Sequence, residues 1–521
     1  MIFNGAAPGF GLEPGGLWLV LARSVSVAGL LQLFGVLIFR QWVCPSALAR
    51  ATASERAVLN AALTRSVALS LALAIGGLLL WLPLQSADIA SVGTLTATLA
   101  AIPSVLRDTR FGHVLLAQFA CLTAATMLWR AMRPWSALLL AGAALVLHAG
   151  HSHAASMQPL LPVLIGSDII HLLAAGGWLG ALLPLLAMVR IGTPVIGAAM
   201  CRYYSPLGKL CVTALLASAV VQFGEMIGGV PRLVGTGYGW LALAKMALFA
   251  VLFACAWRNR YRLAPGLRAS DPQPSRRALI RSIGWQTAAG VAVVFAASML
   301  SQLPPAMHTQ PVWPFTEQFS LVTINEDADL RDEVLQASAL LLVVIAMAGL
   351  GVAQLLGRLG RHRWPGVLAI ALAIPLAVVQ AGHLDLLFVP AGPESFYTSP
   401  TGFSAESIAA GATLYTQNCV SCHGSTGRGD GLVAHTLPIP PADLTAPHLW
   451  AHTDGELFGW IAHGMANPRG GLAMPGFSDH LSDDDIWALI DFIRARNPAT
   501  PHDSAGRPIP PPDRTTMHHD M

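Results

Sequence analysis

Apolar residues run in long blocks through the first three-quarters of the chain. They then give way to short amphipathic stretches broken by Gly, Pro and charged residues. Ten blocks, 17–40, 66–84, 112–130, 134–152, 162–189, 206–230, 238–257, 279–302, 334–357 and 364–388, reach the length of roughly 18 residues or more that crosses a bilayer as a helix. Residues 90–107 read as a short interfacial or loop segment. After the last block, residues 404–497 alternate helix-forming and turn-forming stretches, as a small water-soluble domain does. The pattern predicts an all-α protein: a polytopic membrane helical bundle of about ten spans with a C-terminal soluble helical domain. The expected division is 1–110 N-terminal membrane helices, 111–306 a membrane domain, 307–390 an outer loop plus two further helices, 391–403 a linker, 404–497 the soluble domain, and 498–521 a Pro-rich disordered tail.

Composition agrees. Hydrophobic residues make up 54% of the 521-residue chain and charged residues only 11%, against about 25% charged in soluble proteins. The distribution of charge orients the bundle. Before residue 391, nineteen of the 25 Lys/Arg fall within 40–65, 130–133, 190–209, 258–281 and 358–363. If every block spans, all five stretches lie on one side, which the positive-inside rule makes the cytoplasm. Both termini and the soluble domain then lie outside, which in a bacterium means an inner-membrane protein facing the periplasm. The outer loops are acidic, notably at Glu326, Asp327, Asp329, Asp332 and Glu333. Residues 1–16 lack the basic start of a cleavable signal peptide. No nucleotide-binding loop, catalytic triad or nucleic-acid patch appears. The basic stretch 258–281 is a membrane-surface loop, so no nucleic-acid partner is expected.

Chemistry enters at Cys419-Val420-Ser421-Cys422-His423. C-x-x-C-H is the attachment sequence of c-type haem: two thiols for thioethers and a following imidazole for the iron. Of the seven cysteines only these two form a motif. Met474, in Met474-Pro475-Gly476-Phe477, is the candidate second axial ligand, with Met465 as the competing sulfur and a five-coordinate or bis-His iron as the further alternatives. Met opposite His raises the reduction potential and suits electron transfer. His435, His448 and His452 read as exposed loop residues. A helix over 405–418, a Gly-rich turn at 424–431 and a closing helix over 482–496, opened by Ser482 and three aspartates, complete the set. Residues 404–497 thus resemble a class I cytochrome c. The resemblance implies one covalent haem c held by Cys419 and Cys422, with His423 and Met474 on the iron, and one-electron transfer rather than substrate chemistry. From residue 391 onward there are 6 Lys/Arg and 14 Asp/Glu, an acidic balance that steers a basic periplasmic electron-transfer partner or simply keeps the domain soluble.

Ionisable residues inside membrane spans are functional candidates because they are costly there. His113, His148, His151 and His171 fall at similar outer depth on three consecutive helices, with Asp168, His153 and Met157 nearby; His308 and His383 are also outer. Facing imidazoles can hold haem b, bind copper, or only hydrogen-bond neighbouring helices. Glu225 and Lys245 are each about ten residues from an outer turn and are expected to pair; Arg23 is expected to snorkel or pair. Asp168-Ile-Ile-His171-Leu-Leu-Ala-Ala-Gly-Gly-Trp178-Leu-Gly180, Lys245 through Arg258-Asn-Arg260, and Arg281-Ser-Ile to Leu303-Pro-Pro-Ala306 make residues 110–306 similar to the copper resistance protein D (CopD) family. That resemblance implies copper movement or resistance at the inner membrane, with copper ions or a periplasmic copper-binding protein as partners; some relatives are thought to carry haem b. Gln286 stands where a Glu is expected, which weakens a proton-carrying role there. Three functions compete: a redox membrane protein, a copper transporter whose cytochrome adjusts copper oxidation state, and an inert anchor. Ten spans with buried His, Asp, Glu and Lys argue against the anchor. The expected activity is electron transfer or transport rather than a conventional enzyme. The terminal Met517-His518-His519-Asp520-Met521 is a weaker copper candidate.

Overall fold

The computed structural model describes residues 16–49, 51–151, 161–319, 328–355, 364–384, 387–446, 449, 452–467, 472–503 and 508–509. His153, Met157, Glu326, Asp327, His448, the terminal Met/His motif and most of the predicted disordered tail lie outside the described residues. The chain forms two compact units, Gly9–Thr309 and Gln310–Met521.

The first unit is a bundle built around α1 (Gly16–Ile38). This helix is apolar on every side, so it suits burial among other helices rather than one face against a core. It packs on α2 (Ala53–Ile89), whose start is set by a capping box between Thr52 and Glu55 well before the predicted block. Small residues bring the two backbones together: a Cβ on Gly29 would run into the backbone of Ala74, and one on Gly77 into Ser26. Close backbone approach of this kind replaces the hydrophobic effect as the source of helix association in lipid.

The predicted span 162–189 divides into α6 (Leu161–Trp178) and α7 (Leu182–Ile191) at the turn Leu179-Gly180-Ala181. Gly180 lies against the backbone of α1 at Leu31 and Gly35, where no side chain fits. The Tyr204 hydroxyl donates to the Trp178 carbonyl at 2.8 Å, satisfying a polar group at the break. Residues 95–108, within the stretch read as loop or interface, form α3 (Leu95–Asp108), capped by Thr94. Four longer helices complete the unit: α4 (Arg110–Arg130), α8 (Pro194–Met226), α9 (Gly237–Arg258) and α10 (Gln273–Leu300). A shorter α5 (Pro134–Leu147) continues into one tight turn, His148–His151.

The basic loops converge at one end of this bundle. Arg276 donates to the carbonyls of Val189, Arg190 and Gly192 at 3.1, 2.8 and 3.1 Å. Arg40 lies over the Trp129 ring, 4.6 Å from its centroid, next to the turn at 131–133. The turn around Gly228 lies instead beside Met307.

In the second unit α11 (Ala328–Leu355) packs against α12 (Trp364–Leu384). Among the described residues nine helical stretches are long and apolar enough to cross a membrane; α12, the tenth predicted span, carries a shorter apolar stretch at Gly366–Ala377. The soluble part is helical, with α13 (Ala405–Asn418) crossing the closing helix α15 (Asp483–Arg496) where Gly411 meets Ala488 and Phe492. Between them α14 (Asp454–His463) starts from a Thr453–Glu456 capping box. Burial of Leu457, Phe458, Ile461, Ile486, Leu489 and Ile490 makes one core.

Residues 391–403, expected as a linker, are packed in place. Strand β1 (Glu317–Phe319) pairs antiparallel with β2 (Phe388–Pro390). Just beyond, Trp313 donates its amide to Pro393 and stacks on Phe396 with centroids 4.7 Å apart. Thr453 then donates to the Ser395 carbonyl at 2.7 Å, and Glu394 pairs with His463 at 3.0 Å.

Candidate functional site

The C-x-x-C-H segment is a single helical turn, Val420–His423, following α13. It is held by backbone bonds from Cys422 and His423 to the Cys419 carbonyl, and by Gly429 donating back to His423. Gly424, Gly427 and Gly429 adopt φ of +76°, +81° and +76°, a region that glycine enters without steric cost. This turn carries the chain around to Ala442. There the Ala442 carbonyl accepts a hydrogen bond from His423 Nδ1 at 3.0 Å. A carbonyl can only accept, so Nδ1 carries the proton and the lone pair sits on Nε2, as an iron-ligating imidazole requires. Burial pushes the His423 pKa down, favouring that neutral form, although the bond to Ala442 opposes the shift. Cys419 and Cys422 are half-buried free thiols, and burial pushes Cys419 up to about 11 with Cys422 adding to it.

Met474 ends strand β4 (Leu472–Met474), paired with β3 (Met465–Ala466) so that Met465 and Met474 are register partners. Their surroundings separate them. Met474 is half-buried against the core, whereas Met465 is 40% exposed. The loop after Met474 is pinned to the end of α14, with Phe477 donating to Ile461 and Ala462. Two thiols, an imidazole with a free Nε2 and a core-facing thioether form a donor set that fits covalent haem. His452 is not the exposed loop residue expected: it is buried, bonded to Glu456 at 3.1 Å and packed on Trp460. The capping box that starts α14 brings Glu456 to it. His435 is exposed, as expected.

The four membrane histidines do not gather as one set. His148 and His151 come together, with ring centroids 5.4 Å apart, against Trp81 and Phe111. His113 is exposed and its Nε2 donates to the Arg107 carbonyl at 2.6 Å. His171 shares a hydrogen bond with Ser218 at 2.9 Å. Among the described residues no three His, Cys, Asp or Glu side chains form a group able to hold a metal.

Charge instead links the His148–His151 pair with His171. Arg23 lies over Trp81, donates to the His151 carbonyl at 3.5 Å and is within electrostatic reach of His148, His151 and Asp168. Asp168 in turn acts on Lys245, and Lys245 on His171. The expected Glu225–Lys245 pair does not form; the carboxylate that Lys245 feels is Asp168. Equal depth on adjacent helices does not fix which way two side chains turn. His148 Nδ1 is buried without a hydrogen-bond partner, a state costly for a polar atom unless something else binds it.

The family models decide what this arrangement is. Residues 13–161 match the copper resistance protein D-like N-terminal domain, 198–300 match copper resistance protein D, and 406–493 match the cbb3-type cytochrome c oxidase subunit III model. The chain is a copper resistance protein D family membrane protein joined to a cytochrome c domain. Relatives agree for each part. The inner membrane protein YebZ of Escherichia coli is 27% identical over 304 residues, 55% of this chain and 98% of that one. Copper resistance protein D of Pseudomonas syringae is 29% identical over 152 residues, 27% of this chain and 49% of its own length. Cytochrome c6 of Picosynechococcus is 34% identical over 91 residues, 17% of this chain and 73% of its own. A cytochrome c domain implies covalent haem c.

Several residues of the copper resistance protein D part escaped sequence reasoning. Gln118 is fully buried and bonded to the Ala144 carbonyl and to His151; Gln222 donates to Asp168 at 3.0 Å. Both are amides within membrane-length helices, a signal in the sequence as legible as a histidine. Gln286 is structural, bridging Asn259 and the Leu252 carbonyl.

Proposed function

We propose that this chain is an inner-membrane c-type cytochrome that carries single electrons at the periplasmic face and couples them to copper handling. The observation that carries the reading is His423: it directly follows two half-buried thiols, and its Nδ1 is committed to the Ala442 carbonyl. In this assignment Cys419 and Cys422 hold the haem, and His423 Nε2 and Met474 ligate its iron. Haem iron supplies a one-electron couple, which the Met/His pair places at a high potential. The half-buried thioether of Met474 and the core behind it keep bulk water from the ligand. The convergence of basic loops at one end of the bundle supports assigning that end to the cytoplasm, and in this assignment the acidic cytochrome domain is periplasmic. A basic electron-transfer partner suits that acidic domain, and copper ions or a copper-binding protein suit the family of the membrane part.

A second reading, a b/c haem electron-transfer protein without copper transport, draws on two features. The described residues bring no three metal donors together, and the His148 Nδ1 is buried and unpartnered. Pyridine haemochrome and metal analysis of the purified full chain separates the two. One haem c with copper lost on His148→Ala or His171→Ala supports copper handling. Haem c with an additional haem b lost on His148→Ala supports the second reading. Absence of covalent haem sinks both. Met474→Ala is expected to lower the reduction potential in a spectroelectrochemical titration, whereas Met465→Ala leaves it unchanged.

A further inference from the structure

An apolar groove of about 640 Å³ runs between α9 and α10. Its walls are mostly small or aliphatic, including Val251, Ala289 and Ala292, with the Trp285 ring at its side, and two arginines, Arg258 and Arg281, stand at its mouth. Arg258 ends α9, and Arg281 lies just inside α10, beyond the basic loop that joins them. Neither makes an ion pair or side-chain hydrogen bond with the described residues, and both are exposed. A third polar group faces the same groove. Ser282 is only 5% exposed, yet its hydroxyl has no hydrogen-bond partner. Other hydroxyls on α10 are satisfied within the helix: Thr287 donates to Ile283 and Ser298 to Val294.

Dimensions identify what fits. From Arg258 back to Val251 is roughly 10 Å along a helix, and from Arg281 to Ala292 roughly 16 Å. The groove therefore reaches about half-way through a hydrocarbon core of about 30 Å, which is one leaflet. It opens at the end where the basic loops converge, beside a leaflet surface rich in anionic lipid. An apolar trough one leaflet deep, with two guanidiniums and a spare hydroxyl at its polar end, matches one acyl chain and one phosphate. Guanidinium groups suit phosphate because their donors form a planar fork.

We propose that this groove binds an anionic phospholipid, with the phosphate on Arg258 and Arg281, the Ser282 hydroxyl donating to the headgroup region, and an acyl chain along Val251, Ala289 and Ala292. The test uses the full chain in detergent, titrated with phosphatidylglycerol or phosphatidylcholine and read by native mass spectrometry and thermal unfolding. Phosphatidylglycerol is expected to stay bound and raise the unfolding temperature, and phosphatidylcholine to do neither. The paired change Arg258→Gln with Arg281→Gln is expected to weaken phosphatidylglycerol roughly thirtyfold. Arg268→Gln with Arg277→Gln removes as much charge from the same basic region outside the groove and should leave binding within about twofold; it also controls for insertion and folding. Ala289→Leu should obstruct the acyl chain while sparing the arginines. Equal binding of both lipids, equal loss in both arginine pairs, or displacement of the lipid by inorganic phosphate alone overturns the proposal. So does a dimer that Ala289→Leu disrupts without lipid loss, which would make the groove an interface between copies.

Discussion

The membrane bundle and the cytochrome c domain are held together by different means, and the contrast follows from their solvents. In the cytochrome domain, apolar side chains are driven inward by water; helix starts are set by local capping boxes at Thr453 and Ser482, and one long-range device, a buried Arg494, donates to the Leu449 and His452 carbonyls and pairs with Asp454 at 2.8 Å. In the bundle, lipid is as apolar as leucine, so sidedness carries little energy and shape decides. There Gly29, Gly35, Gly77 and Gly180 let backbones touch. Polar groups are treated oppositely as well. The cytochrome domain exposes its excess acid; the bundle sets Asp168 within electrostatic reach of both Arg23 and Lys245, beside its histidines. Local rules set the helix starts and the haem turn of the first region, while the second depends on which helices meet.

The contrast can be broken most sharply at the haem motif. Cys419→Ser with Cys422→Ser should abolish covalent haem, seen as loss of peroxidase stain on a denaturing gel, while the bundle still inserts; loss of the whole protein from the membrane would show that the two regions are not independent. Next in size are two adjacent glycines of α2. Gly77→Leu meets the α1 backbone and should destabilise the bundle by several kcal/mol, of the kind set by overpacking at about 3 kcal/mol or more. Gly76→Leu, with nothing within 4 Å of its Cβ position, should be silent in the same thermal-aggregation assay. If both behave alike, close packing is not what holds α1 to α2.

Arg494→Met strips a buried, three-partner cation from the cytochrome domain. The expected loss is about 3 kcal/mol, measured as a lower denaturant midpoint in the haem absorbance. The smallest effect concerns Asp485, whose carboxyl is held below the usual range by the Ser482 hydroxyl and amide. Its depressed folded pKa means that the cap's contribution is full above the ordinary aspartate value of about 4 and fades as the pH falls through the folded value. Because the carboxylate is exposed and screened, Asp485→Ala should cost only about 0.5 kcal/mol at pH 7 and progressively less below about pH 4; a cost independent of pH would show that the cap does not act through the carboxylate.

Much of the soluble site was legible beforehand. The turn 419–423, the glycines after it and the Ser482 cap of α15 are signals confined to a few neighbouring residues, and their backbone geometry is as expected. Burial separates Met474, packed against the core, from Met465, which is 40% exposed, a difference that no local sequence signal carries. In the bundle, helix positions were readable but partners were not. His113 turned to a backbone carbonyl, Lys245 came within electrostatic reach of Asp168 without pairing with Glu225, and the long span broke at Gly180, where α1 passes.

The sequence by itself determined the two regions, the run of apolar helices, the basic loops and the haem-attachment turn. These rest on composition, on periodicity and on spacings of a few residues, all properties of chain segments taken singly. Tertiary structure alone decided that His148 pairs with His151 while His113 and His171 stand apart, that Asp168 lies within electrostatic reach of both Arg23 and Lys245, that residues 391–403 are bound in place, and that a groove with two arginines opens between α9 and α10. Each depends on how helices rotate about their own axes when they pack, and in a segment apolar on every side the sequence carries almost no record of that rotation.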